Sequence, residues 1–396
     1  MNDGVPPPDE PLAYLFMVRE GPTYSLEDLE PICALLSQHF RGELWSYGSY
    51  EADAEVDRMR IRVLKDRSPR KLVNFVNFAR AVLRRAQELS AARPERLVVT
   101  SYDPFKGGLL AWRVSRLLRG SFLCEVNGVY GNPDNFSHVR SAAWRWLRLL
   151  QVRLLGSFVL RRADAVRLLF SGQLENFVTL ATPTVVRHFF DRAYTERFYP
   201  GPEEPLILAA GFPFLVKGVD ILISAFRRVA PRHPEWKLVL IGHRIPDELR
   251  ARGLEDPRIH ALPGIPQREL AKWMSRCSIL AHASRSEGIP RVLLEGAAAG
   301  KCRIAARVGG VPAVVTHDVD GLLFEKENIS ELAESLERAI TDRDLRDRLG
   351  TTARERVAKE FSASAYLAAF AELVSATLAA RAAAHRAATQ PRSYGA

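Results

Sequence analysis

The chain has 396 residues, enough for two domains with separate cores, and its 47% apolar and 26% charged residues are ordinary for a globular protein. A formal net charge of +10 points to an anionic partner, but no nucleic-acid module and no clustered aromatic platform can be read, so nucleic acid is set aside. The four cysteines (Cys33, Cys124, Cys277, Cys302) are scattered without metal-like spacing and read as reduced, mostly buried thiols of a cytoplasmic protein.

Residues 1–11 are acidic and proline-rich with no basic leader region, and read as a disordered lead-in rather than a secretory signal. A first domain is expected over 12–200. Its strands are predicted at Leu12–Val18, Leu97–Thr100, Phe122–Val126 and Val166–Phe170. Gly21 follows the first strand, where a doubly wound sheet places its ligand crevice. The stretch from Val139 to Arg162 carries Trp144, Trp146 and a series of arginines. Plotted as a helix, Ala143, Trp146, Leu147, Leu150 and Leu154 share a face. That suits a helix lying on a membrane surface and equally a helix covering the sheet; the covering helix is the expectation. Tyr199-Pro200-Gly201-Pro202 reads as a linker.

A second domain is expected over 201–362. It opens with the apolar strand Leu206 to Gly211, the turn Lys217-Gly218 and a helix with Leu222, Ala225, Phe226 and Val229 on one face. Lys237 to Gly242 is a second glycine-ended strand. The strand Ile279–Ala281 leads through His282 to Glu287-Gly288-Ile289-Pro290-Arg291-Val292, with a second acid at Glu295. Pro290 suits a first helical position, and the N–H groups of that turn can hold an anion. Gly309-Gly310-Val311-Pro312 follows a short strand around Ile304. Alternating strands and helices argue for α/β architecture. A helix is expected from near Ser330, and an alanine-rich one over Ala363 to Ala388, within a final segment 363–396 whose end, from Pro391, is expected to fray.

The glycine-ended strand, the Lys-Gly turn, the two glutamates with seven residues between them at Glu287 and Glu295, and the late Gly-Gly-x-Pro loop occur in that order. Together they resemble family-4 retaining glycosyltransferases. Asp103-Pro104-Phe105 with Gly107-Gly108-Leu109, and Arg161 to Arg167, extend the resemblance into the first domain. It implies a GT-B-like fold: two doubly wound Rossmann-like domains facing across a cleft, with the last helix crossing back to the first domain. It also implies a nucleotide-sugar donor bound to the second domain and a saccharide or lipid-linked acceptor bound to the first. Glu287 would orient the donor sugar. Glu295 would bind the ribose hydroxyls. Lys217 would neutralise the leaving diphosphate, with Gly211, Gly288, Ile289 and the backbone from Pro290 through Arg291 to Val292 around it. Gly21, Asn127 and His282 are further candidates for donor or acceptor contacts. The scheme needs no metal and no bound cofactor. Bacterial polysaccharide, lipopolysaccharide or glycolipid assembly is the expected setting, in the cytoplasm or peripheral at the inner face of an anionic membrane.

Two positions depart from the family pattern. Phe212 stands where an arginine usually follows the strand glycine, and Asn127 where a histidine is common. Arg244, Arg285 and Arg291 are the candidates to replace that cation. The departures also raise a rival: a donor-binding relative without catalysis. A nicotinamide enzyme is set aside, because no strand is followed by G-x-G-x-x-G. Asp318-Val319-Asp320 and Asp342-Arg343-Asp344 are read as a turn and a helix start, not as metal ligands.

Overall fold

A computed structural model describes residues 12–19, 26–92, 94, 96–136, 141–187, 189 and 197–389. The lead-in 1–11, Gly21 and the tail from Pro391 lie outside the described residues. Two compact units divide the chain. The first holds the described residues of Met1–Asn127, Leu150–Arg187 and Ala363–Ala396, and the second those of Gly128–Leu149 and His188–Ser362. Each is a mainly parallel sheet with helices, so the α/β, doubly wound class expected from the sequence holds for both.

The first unit carries β1 (Ala13–Val18), α1 (Leu26–Ser37), β2 (Phe40–Gly48), β3 (Ala52–Val56), β4 (Met59–Lys65), α2 (Lys71–Ala92), β5 (Leu97–Ser101), α3 (Lys106–Leu118) and β6 (Ser121–Glu125). Helix α4 (Ala142–Leu160) follows, its residues up to Leu149 counted with the second unit and those from Leu150 with the first, then β7 (Ala165–Leu168) and β8 (Pro183–Val185). The strand order is β3-β4-β2-β1-β5-β6-β7-β8, parallel except for the β3–β4 hairpin. β1, β5 and β6 are apolar runs buried on both faces, as a helix-covered parallel sheet requires. β4 instead alternates, with Met59, Ile61 and Val63 inward and arginines between them.

The second unit carries β9 (Glu204–Ala210), α5 (Val219–Val229), β10 (Lys237–Ile241), α6 (Ile245–Ala251), β11 (Ile259–Leu262), α7 (Gln267–Arg276) and β12 (Cys277–His282). It continues through α8 (Arg291–Ala298), β13 (Cys302–Ala306), β14 (Leu322–Phe324), α9 (Ile329–Thr341) and α10 (Arg343–Glu360). All six strands are parallel, in the order β11-β10-β9-β12-β13-β14. From β9 the chain winds outward through β10 and β11, then returns to the other side of β9 at β12. The carboxyl ends of β9 and β12 therefore flank a topological switch point, where open α/β sheets bind ligands.

Both aspartate pairs set aside as metal ligands have structural partners. Asp342 caps α10, accepting from Leu345 N at 2.8 Å. Asp320 is fully buried between Arg303 Nη2 (3.3 Å) and Arg356 Nη1 (2.7 Å). Burial pushes the Arg303 guanidinium down to about 10, against the pull of Asp320.

The chain ends its described part in α11 (Ala363–Thr389), which belongs to the first unit, as the crossing-back helix predicted from the sequence. Ala363–Ala383 is long and apolar enough to cross a membrane by composition, but Tyr366, Leu367, Phe370, Leu373 and Val374 are buried. Phe370 meets Phe40 edge-on at 5.9 Å.

Candidate active site

The switch point of the second unit collects the predicted residues. β9 delivers Gly211 at its carboxyl end, and β12 delivers His282. Lys217 lies in the hydrogen-bonded turn that follows Gly211, with Lys217 N donating to Pro213 O at 2.9 Å. The Gly211 backbone has φ +146°, and a Cβ there would meet Lys217 Cε at 3.0 Å, so glycine leaves room for the lysine stem to lie across it. Lys217 Nζ reaches Glu287 Oε1 at 2.5 Å. His282 Nε2 reaches the same oxygen at 3.0 Å.

Burial opposes ionisation of Glu287. The electrostatic pull and hydrogen bond of His282, and then those of Lys217, outweigh it and hold the carboxyl well below the usual carboxylate range. The site thus presents an ionised glutamate, a lysine and an imidazole within one cluster. Such a set can bind a polyhydroxyl group and a phosphate side by side.

Backbone packing holds the two loops together. Arg285 N donates to Val216 O at 2.8 Å, and the Arg285 guanidinium donates to Leu215 O. That guanidinium also forms a fork on Asp220, with both bonds at 2.8 Å, and meets Glu327 Oε1 at 2.5 Å. Gly218 has φ +60°, and a Cβ there would stand 1.9 Å from Ala283 O. Gly309 has φ +49°, and a Cβ there would stand 1.9 Å from Glu287 O. The Gly-Gly-x-Pro loop thus presses directly on the backbone that carries the acid.

Other predicted residues sit differently. Pro290 is the N-cap of α8 rather than its first helical residue, because its ψ of 112° is extended; the helix begins at Arg291. No side chain caps that helix start. Gly288 and Ile289 form the connection from Glu287, Arg291 is exposed and Val292 half-buried. Glu295 is buried inside α8. Asn127 belongs to the first unit, following β6; its Nδ2 donates to Tyr102 O at 2.8 Å, and its buried Oδ1 has no partner among the described residues. Phe212 packs edge-on against His243, ring centres 5.5 Å apart. Of the cations that could replace the family's arginine, Arg285 is committed to Asp220 and Glu327, whereas Arg244 and Arg291 are exposed. Sequence reading passed over Asp220 and Glu327 as parts of the site, and named Gly309 only within the Gly-Gly-x-Pro loop. Only the paired glycines offered a signal, and they carried no hint of which backbone they would meet.

A doubly wound unit with an acid, a lysine and a histidine at its switch point has the architecture of the Rossmann-like class, which places its ligand crevice there. Residues 195–356 match the family model of glycosyl transferases group 1, so the resemblance to glycosyltransferases read from the sequence holds over that segment. An uncharacterised glycosyltransferase of Methanocaldococcus jannaschii is 36% identical over 151 residues, covering 37% of this chain and 41% of that protein. A D-inositol 3-phosphate glycosyltransferase of Xylanimonas cellulosilytica is 32% identical over 170 residues, covering 41% of this chain and 40% of that protein. The aligned part thus spans about two fifths of these curated relatives. Among solved structures, sucrose-phosphate synthase of Thermosynechococcus elongatus superposes with a TM-score of 0.75 at 18% identity, covering 93% of this chain and 100% of that one. HepE of Anabaena in complex with UDP gives a TM-score of 0.68 at 18% identity, covering 92% of this chain and 100% of that one. The fold is that of these GT-B glycosyltransferases.

Proposed function

We propose that the protein moves a hexosyl unit from a nucleotide-diphosphate sugar to a saccharide or lipid-linked acceptor, with retention of anomeric configuration. The observation that carries this reading is the Lys217–Glu287–His282 cluster at the switch point of the segment that matches the family. Solved structures of HepE with UDP and with UDP-glucose support a nucleotide-sugar donor. In this reading the diphosphate competes with Glu287 for Lys217, and the released carboxylate turns to the sugar hydroxyls. Glu295 takes the ribose, and the start of α8 takes a phosphate oxygen. The acceptor hydroxyl oxygen bonds to the anomeric carbon as the carbon–phosphate oxygen bond breaks on the same face. The hydroxyl proton passes to the departing diphosphate. Lys217 stabilises that developing charge without a metal. Asn127 is the candidate acceptor contact, and assembly of bacterial polysaccharide, lipopolysaccharide or glycolipid in the cytoplasm is the setting.

Calorimetry with UDP-, GDP- and ADP-sugars, with EDTA present, tests the donor site. One nucleotide sugar should bind, and Glu295→Ala and Lys217→Ala should each weaken it by about tenfold or more. Turnover with that donor, followed by NMR of the product, tests retention. The Phe212–His243 pair favours one alternative, a donor-binding relative without catalysis, since an aromatic pair occupies the place of a cation. Tight donor binding without transfer across a wide acceptor screen would establish that alternative.

A further inference from the structure

Helix α4 carries an unusual surface. Trp144, Leu147, Leu154 and Phe158 are all exposed and recur at helical spacing, so they form one stripe along its length. The face differs from the one predicted from the sequence, because Val159 and Leu160, with Gly156, supply the buried side. Trp146, 64% exposed, stands beside the stripe. From Ala142 to Arg148, the first turns of the helix, every residue is exposed. Near its other end the stripe widens. Val178 N bonds Ser157 Oγ, which brings the exposed Val178 and Leu180 against α4. Arg162 lies over the Phe158 ring at 3.4 Å.

The charge on the helix itself has one sign. No aspartate or glutamate occurs from Asn135 to Ala163, while Arg145, Arg148, Arg161 and Arg162 are exposed on the helix and just beyond it. Exposed tryptophans with an arginine rim and no acid are poorly matched to water. They match the boundary between an anionic headgroup layer and its acyl chains.

We propose that α4 lies on an anionic bilayer, its Trp144–Leu147–Leu154–Phe158 stripe at the acyl boundary and its arginines among the headgroups. Each basic residue near such a surface adds attraction that salt screens.

Co-sedimentation of the full chain with vesicles of phosphatidylcholine, with and without phosphatidylglycerol, is the test. Binding is expected only with phosphatidylglycerol and should weaken as salt rises. The triple change Trp144→Ser, Leu147→Ser, Leu154→Ser and the double change Arg145→Glu, Arg148→Glu should each reduce it by about tenfold or more. Lipids brominated in the acyl chains should quench tryptophan fluorescence of the unaltered protein, a readout that needs no variant. Absence of binding to phosphatidylglycerol vesicles at low salt would overturn the proposal. So would undiminished binding by a folded triple variant, or a dimer in solution that the triple variant dissolves, since a second copy would then cover the stripe. The assay contains no nucleotide, so its outcome is independent of the transfer reading.

Discussion

At the scale of single residues, Glu287 decides most. Its folded carboxyl lies below its unfolded value. Its contribution to stability is therefore full above the unfolded value of about 4.3 and is lost as pH falls towards the folded one. Glu287→Gln should abolish transfer while the protein still folds. Urea unfolding at about pH 6 and about pH 3 should show a smaller acid loss in the variant than in the parent; equal losses would mean that Lys217 and His282 do not hold the charge. Gly309→Ala should cost about 1–3 kcal/mol and reduce donor affinity, because its methyl would displace the Glu287 carbonyl. Thermal melting read beside calorimetry checks both effects; an unchanged melting temperature would show that the contact relaxes freely. The acid, the lysine and the glycines were legible because the spacing along a strand–turn–helix is local. Asp220 and Glu327 were not, because Arg285 joins positions 65 and 42 residues apart in sequence, and nothing local marks such a pair.

At the scale of elements, the site is two loops locked by one guanidinium. A double-mutant cycle on Arg285→Ala and Asp220→Ala should return a coupling of about 1–2 kcal/mol by urea unfolding. Additive losses would leave the loops held by the backbone contacts at Val216 and Gly218 alone. The second sheet around β13 rests on a different device. Asp320→Ala would strand Arg303 in a buried position and should cost about 3–5 kcal/mol, seen as a lower urea midpoint. Apolar strands such as β5, β9 and β10 could be read from the sequence because both of their faces are covered. β2 could not: its buried Glu43 interrupts the apolar run. In the fold that carboxylate is satisfied by Tyr14 Oη (2.9 Å), Trp45 Nε1 (2.9 Å) and Arg85 Nη2 (2.5 Å), partners no local pattern announces. The β3–β4 hairpin was missed for a related reason, since β3 is largely polar and half-exposed.

At the scale of the whole molecule, each unit has its own sheet, and the sequence conveyed that much through its alternation of strands and helices. Donor binding should accordingly raise hydrogen-exchange protection in the second unit, at the turn around Lys217 and the loop from Ala283 to Pro290, and leave β1, β5 and β6 unchanged. Protection rising instead across the first unit's sheet would place the donor elsewhere. The chain's route adds an order of events during synthesis. The first unit is interrupted by Gly128–Leu149 and again after Arg187, and receives α11 only after all of the second unit has been made. On the ribosome the second unit can close while the first still waits, with the side of Phe40 that Phe370 will cover left bare. Of the two units, the one begun first is thus finished last, and a nascent chain halted before Ala363 is the form a chaperone would have to shield.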